Sequence, residues 1–208
     1  MKKISFLAFG ILGCLYSFAQ IDIGLKEGLS LNTIAGGTSY SYSVGFVGGV
    51  LAKISFKDKM YIQPEILYSV KGAHFPSMGF GGPASTGVHS AGILSLNYIA
   101  VPLLFGYDPD DKISIRLGPE FGFLLNANSH FDNNNHNVTD NFQKVDAGLD
   151  LGVSYKLYKN FGIELRYNYG FKDLEEVTYT DPFGNINERT LAGSNRVFQF
   201  GIYYIFKK

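Results

Sequence analysis

The chain has 208 residues, and 18 Lys and Arg balance 18 Asp and Glu, so there is no basic surplus to suit a nucleic-acid partner. Charged residues reach only 17% and aromatics 15%, with 25 glycines, a mixture that disfavours helices and suits strands. One cysteine excludes an intramolecular disulfide framework and a cysteine-rich metal site.

Lys2 and Lys3 precede an almost wholly apolar run from Ile4 to Phe18, and Ser17-Phe18-Ala19 puts small residues where a signal peptidase reads them. Residues 1–19 are therefore expected to be a cleavable secretory signal, with the mature domain at 20–208. The run is shorter than the ~20 residues a spanning helix needs. A rival is the lipobox-like Ile11-Leu12-Gly13-Cys14, but the apolar stretch before Cys14 is very short. A mature chain from Gln20 has no cysteine and sets eighteen acids against sixteen bases, a net charge of −2.

Eight segments of period two follow, each with one apolar and one polar phase. The first carries Ile21, Ile23, Leu25, Leu29 and Leu31 on its apolar phase, broken once by Glu27. The second carries Tyr42, Val44, Phe46, Val50, Ile54 and Phe56, and the third Ile62, Ile66, Tyr68 and Val70. The fourth sets Leu94, Leu96 and Tyr98 against Ser95 and Asn97, then is apolar on both phases to Tyr107. The fifth alternates cleanly from Ile113 to Leu125, the sixth from Val145 to Tyr155, the seventh from Phe161 to Phe171, and the eighth ends at Phe206. Lys57-Asp58-Lys59, 108–111 and Tyr158-Lys159-Asn160 make short connections, while 33–41, 76–90, 127–143 and 173–194 are long and rich in Gly, Ser, Asn, Asp and Pro. An even strand number, with short turns at one end and long loops at the other, is the pattern of an all-β, eight-stranded, antiparallel up-and-down transmembrane barrel in an outer membrane.

Eight strands enclose an interior only just wide enough for side chains, so the small residues belong inside. Eleven of the 25 glycines fall on the polar phase, which turns that phase inward and the aromatics toward lipid. Tyr42, Tyr68, Tyr98, Tyr155, Tyr167, Tyr169 and Tyr204 are then expected outside, several at the depth of an aromatic girdle. A soluble, ligand-carrying barrel would invert the phases and bury far more bulk than its interior holds. Gln199 to Phe206 resembles the terminal strand signal recognised by the outer-membrane assembly machinery, although Lys207 and Lys208 follow the usual aromatic end.

The chain also resembles the PorT-like outer-membrane β-barrels of Bacteroidetes. The matching stretches are Gly24-Leu25-Lys26-Glu27-Gly28-Leu29-Ser30, residues 61–73, Leu96 to Leu104, Leu117-Gly118-Pro119-Glu120, Asp146 to Gly152 and Leu165 to Gly170. The resemblance implies an outer-membrane barrel with no known catalytic residues, and one member is associated with maturation or secretion of exported proteases.

The inward phase carries Asp22, Glu65, Glu120, Asp146, Asp150 and Glu164 against Lys26, Lys53, Lys71, Arg116, Lys156, Arg166 and Lys172. Near-equal numbers in a narrow space should pair, since unpaired buried charge costs several kcal/mol per ion. Lys26, Glu65, Lys71, Arg116, Glu120, Asp146, Asp150, Glu164 and Arg166 are therefore expected to form a structural polar network in the lumen. Candidate partners for Glu65 are Arg116, Arg166 and Lys26; for Lys71 they are Glu120, Asp146 and Glu164. His74, His89, His130 and His136 fall at strand ends or in long loops, and His130, Asp132 and His136 could mimic a catalytic or metal group. No Gly-rich phosphate loop, Gly-x-Ser-x-Gly elbow or His-Glu-x-x-His motif occurs, and no cofactor or metal is expected. The expected function is that of a non-enzymatic barrel among outer-membrane lipid, with a structural or interaction role through its extracellular loops, and an accessory part in protein secretion within its range. The alternatives are an outer-membrane enzyme acting on lipid or envelope glycan, and a narrow small-solute channel.

Overall fold

Eight strands close on themselves in the computed structural model, which describes residues 20–35, 41–75, 92–131, 134–172, 174–180, 186–191 and 193–206. In chain order the strands are β1 (Gln20–Ala35), β2 (Ser43–Lys57), β3 (Met60–Phe75), β4 (Gly92–Tyr107), β5 (Ile113–Phe131), β6 (Asn134–Asn137), β7 (Val145–Tyr158), β8 (Phe161–Gly170), β9 (Glu175–Thr180), β10 (Ile186–Leu191) and β11 (Ser194–Phe206). All but β6, β9 and β10 form the wall, each antiparallel to its neighbours. Closure is made by β11 against β1, in register from Ile23↔Phe206 to Ala35↔Ser194. A closed wall leaves no unpaired edge, which is what hydrocarbon demands of a sheet. The expected signal at 1–19 and the loop at 76–90, with His89, lie outside the described residues.

The alternation does what the pattern requires along most of the wall. Strand β7 buries Asp146, Gly148, Asp150, Gly152 and Ser154 and exposes Leu149, Leu151, Val153 and Tyr155. Outward Tyr42, Tyr68, Tyr155, Tyr169 and Tyr204 are exposed. The short turns lie at one end: in the 108–112 turn the Asp110 carboxylate accepts the backbone N–H groups of Lys112 and Ile113, each at 2.7 Å. The Lys112 amide, and then that of Ile113, hold this carboxyl below its ordinary range.

Strand β4 departs from expectation. Leu94, Leu96 and Tyr98 point inward and are buried, Tyr98 completely. Side-chain direction has a period of two, so a strand has one phase throughout. The other half of β4 sets that phase: Leu103, Phe105 and Tyr107 are exposed to the outside, and the alternate positions, which include the small Ala100 and Gly106 and also Leu104, face the lumen. The phase that puts Phe105 and Tyr107 in lipid carries Leu94, Leu96 and Tyr98 inside. Asn97, forced to the outer side, is satisfied there by the Tyr68 hydroxyl at 2.9 Å and by Asn126 at 2.6 Å.

Two of the connections expected to be loops carry strands. The β5 ladder continues to Phe131 and pairs with β6, and β9 pairs with β10 from Glu175↔Leu191 to Thr180↔Ile186. The 173–194 stretch holds the strand formers Val177, Thr178, Tyr179, Thr180 and Ile186, whereas β6 is Asn134-Asn135-His136-Asn137 and is a strand through its ladder with β5, not through propensity. Beyond the expected start of a long loop, β1 likewise runs on to Ala35. Lys172, expected inside, is exposed beyond the end of β8.

Gly72 sits at φ 145°, a backbone conformation that L side chains rarely adopt, and a Cβ there would run into the Leu94 carbonyl oxygen. It occurs where β3 meets the inward-turned part of β4, so the small residue permits the close approach of the two strands.

Glu27 is exposed on the outer face of β1, between Leu25 and Leu29, which are also exposed. Acids on a lipid face cost less than the ~2–4 kcal/mol of mid-bilayer Arg or Lys. Glu27→Leu is therefore expected to stabilise the barrel by about 1 kcal/mol, seen as a higher urea midpoint in lipid vesicles. An unchanged or lower midpoint would count against a lipid-facing position.

Candidate functional site

The lumen concentrates the charged side chains of the wall. From β1 comes Lys26, from β3 Glu65 and Lys71, from β5 Arg116 and Glu120, from β7 Asp146 and Asp150, and from β8 Glu164 and Arg166; each is at most 3% exposed. Alternation places them inside, and pairing partners come from strands distant in sequence.

Arg166 is the hub. Its guanidinium donates to both Glu65 oxygens at 2.7 and 2.9 Å, the two-point geometry that suits Arg to carboxylate. It also reaches Asp150 at 3.2 Å and, through Nε, Glu164 at 2.9 Å. Glu164 is shared by Lys26 and by Arg116, the latter at 2.5 Å. Lys26 lies 3.9 Å from Glu65, which also accepts from Gln63 at 2.6 Å. A second group centres on Lys71, 2.9 Å from Glu120 and 3.2 Å from Asp146. Asn168 joins the two groups by donating to Asp150 at 2.6 Å and to Glu120 at 3.2 Å, and Asn195 donates to Asp146 at 2.8 Å. The structure thus brings all nine sequence-selected residues into one connected network. Of the candidates for Glu65, Arg166 makes the close pair, Lys26 a long one, and Arg116 goes to Glu164 instead. Of those for Lys71, Glu120 and Asp146 are its partners and Glu164 is not.

Above the network, toward the long loops, the lumen is apolar. Ile34, Ala73, Leu94, Leu96, Tyr98, Leu124 and Ala127 pack around Phe142 and Leu174, which come from the segments after β6 and before β9. Gln143 N–H bonds to Leu174 O at 2.9 Å, and Leu174 N–H to Gly193 O at 2.9 Å, fixing the two segments to each other and to the wall. Val47, Leu67 and Ala100 form a smaller inward apolar group on β2, β3 and β4. Sequence reasoning missed this plug. The available signal was the bulk of the odd-numbered residues of β4, which decides its phase.

Below the network, at the short-turn end, a cavity of about 660 Å³ opens to solvent. Lys53 pairs with Asp108 at 2.7 Å, and Ser114 donates to the other Asp108 oxygen. Asp22 and Lys156 also line it, both half-buried, so these inward residues belong to the mouth and not to the closed network.

His130 and His136 are exposed on the β5–β6 extension, where His136 is opposite Ser129 and His130 opposite Asn135. Asp132 lies outside the described residues. Among the described residues there is no group of three or more His, Cys, Asp or Glu side chains placed to hold a metal ion. His74 is half-buried, and its backbone exchanges hydrogen bonds with Ser41 at 2.8 and 3.0 Å.

A family model described as outer membrane protein β-barrel domain matches residues 18–176. Among solved structures, the chain is similar to neisserial surface protein A, with 14% identity, a TM-score of 0.54, and coverage of 88% of this chain and 97% of that one. It is also similar to the outer-membrane protein OprG from Pseudomonas aeruginosa, with 14% identity, a TM-score of 0.47, and coverage of 92% and 98%. Ail, the attachment invasion locus protein of Yersinia pestis, aligns at 12% identity and a TM-score of 0.45, covering 89% and 98%. No curated protein sequence matches.

Proposed function

The chain belongs to the outer membrane protein β-barrel domain family, and on that premise we propose that this outer-membrane barrel is a closed, non-enzymatic anchor that works through the surface above its long-loop end. The observation that carries this reading is the filling of the lumen. A connected ion-pair network and the apolar plug of Phe142 and Leu174 occupy the interior in succession. Side chains fill an eight-stranded barrel so interlocked, and little is left for a solute path. The strands that rise past the wall, β5 with β6 and β9 with β10, offer a braced surface for a protein partner.

The motif order from Gly24-Leu25-Lys26-Glu27-Gly28 to Leu165-Arg166-Tyr167 supports membership of the PorT-like barrels of Bacteroidetes. An accessory part in protein secretion would then be exercised through the same loops. Insertion by the assembly machinery would use β11, whose outward Phe198, Phe200, Tyr204 and Phe206 are exposed.

A photocrosslinker at exposed His136 tests the contact surface. In intact cells it should capture one envelope protein, whereas the same label at Asp58 in the short turn should capture none. Capture at Asp58 alone would place the working surface at the wrong end. Export is tested separately: the mature protein should fractionate with the outer membrane and begin at Gln20. A lipidated Cys14 at the N-terminus would contradict the signal assignment.

A further inference from the structure

The cavity at the short-turn end is more than the open end of a tube. Its inner end is Arg116, 3% exposed, which pairs with Glu164 through Nη2 while its Nε has no hydrogen-bond partner among the described groups. Tyr61 and Tyr203 line the walls. Their rings occupy the space a Cβ would need at Gly106 and Gly162, so the two glycines let the aromatic rings lie against the backbone. The Lys53 ammonium sits 3.9 Å from the centre of the Tyr61 ring, and the Arg116 guanidinium 5.8 Å from that of Tyr203.

The cavity lining carries six cations against five acids. Asp108 is taken by Lys53 and Ser114, and Asp22 is directly across from Lys53 in the β1–β2 register. Glu164 is already shared by Lys26, Arg116 and Arg166. Lys156, half-buried on β7, has no acid partner among the described residues. At the rim, Asp58 and Asp111 are offset by Lys59 and Lys112, with Lys159 beside them, and Asp110 is occupied by its own turn. The excess is a single cation, and the groups left to meet an anion are Lys156, which has no ion-pair partner among the described residues, and the free Nε of Arg116.

We infer that this vestibule is a binding site for a small soluble oxyanion, a carboxylate or phosphate monoester with an apolar body, held by Arg116 Nε and Lys156 against the Tyr61 and Tyr203 rings. The volume falls in the range of small-molecule sites. In an outer-membrane barrel the short turns face the periplasm, so the ligand would come from that compartment. The inference concerns the end opposite the extracellular contact surface, and either can fail without the other.

Phenyl phosphate and inorganic phosphate, titrated in turn against the full chain in a non-ionic detergent, provide the test, with backbone amide shifts as the readout. Saturable shifts at Lys53, Arg116 and Lys156 are expected, with phenyl phosphate binding more tightly than phosphate. Lys156→Gln should weaken binding about tenfold while leaving heat-modifiable gel mobility unchanged, and Lys144→Gln, on the exposed opposite end, should leave affinity unaltered. Shifts that do not saturate, equal affinity in Lys156→Gln, or shifts produced by anionic lipid and not by soluble phosphate would each overturn the inference.

Discussion

Arg166→Met should lower the stability of the barrel by about 3–5 kcal/mol, the cost of breaking a buried ion pair by removing one partner. The side chain holds Glu65, Asp150 and Glu164 at once, all of them almost fully buried. Methionine keeps most of the volume, so the loss reports stranded carboxylates and not a cavity. A lower midpoint of heat-modifiable gel mobility, or of urea unfolding in vesicles, measures it. Lys144→Met is the control: the Lys144–Asp140 pair is exposed and screened by solvent, so its loss should leave the midpoint essentially unchanged. If both exchanges had the same small effect, the lumen network would not be holding the wall together.

Leu149→Arg should cost about 2–4 kcal/mol and impair insertion, because it places a charge on the lipid face of β7. Leu149 is 38% exposed and opposite Pro119 on one side and Tyr169 on the other. Its neighbour Gly148 points the other way. A Cβ there would come within 2.8 Å of the Tyr169 carbonyl and 3.1 Å of the Asn168 amide. Gly148→Leu should therefore displace the side chain that links Asp150 to Glu120, at an overpacking cost of about 1–3 kcal/mol. The pair of variants separates the two faces by mechanism: the first fails at insertion, and the second inserts but unfolds at lower denaturant. Normal assembly of Leu149→Arg, with protein recovered in soluble form, would contradict the lipid-facing assignment.

Much of this architecture can be read from the chain because period two is strict where lipid faces one side and a packed lumen the other. On β5, β7 and β8 every inward acid and base stands between outward apolar residues, so the network members could be named from alternation alone. Their partners could only be shortlisted. Glu65 and Arg166 are 101 residues apart, and what joins them is the facing of β3 and β8 across the lumen, which no local pattern encodes. Strand β4 failed for a different reason. With apolar residues on both phases its alternation carries no direction, and only bulk settles which side fits inside. Val47, Leu51 and Leu67 are inward by phase as well, and apolar type alone does not mark them as lumen residues, since the small and polar residues around them carry the inward signal. The strand extensions into the long connections were hidden by Asn and Gly that usually mark turns. The vestibule came from the structure, since Asp22, Lys53 and Lys156 are indistinguishable by phase from the closed network until their depth is known.

Conductance across a planar bilayer is the decisive test of a membrane barrel whose lumen is filled. Purified protein inserted from detergent should give a quiet baseline with no resolved openings, since the paired side chains and the apolar plug occupy the path. Steady single-channel openings of fixed size from the wild-type chain would contradict a filled lumen and make the barrel a conduit.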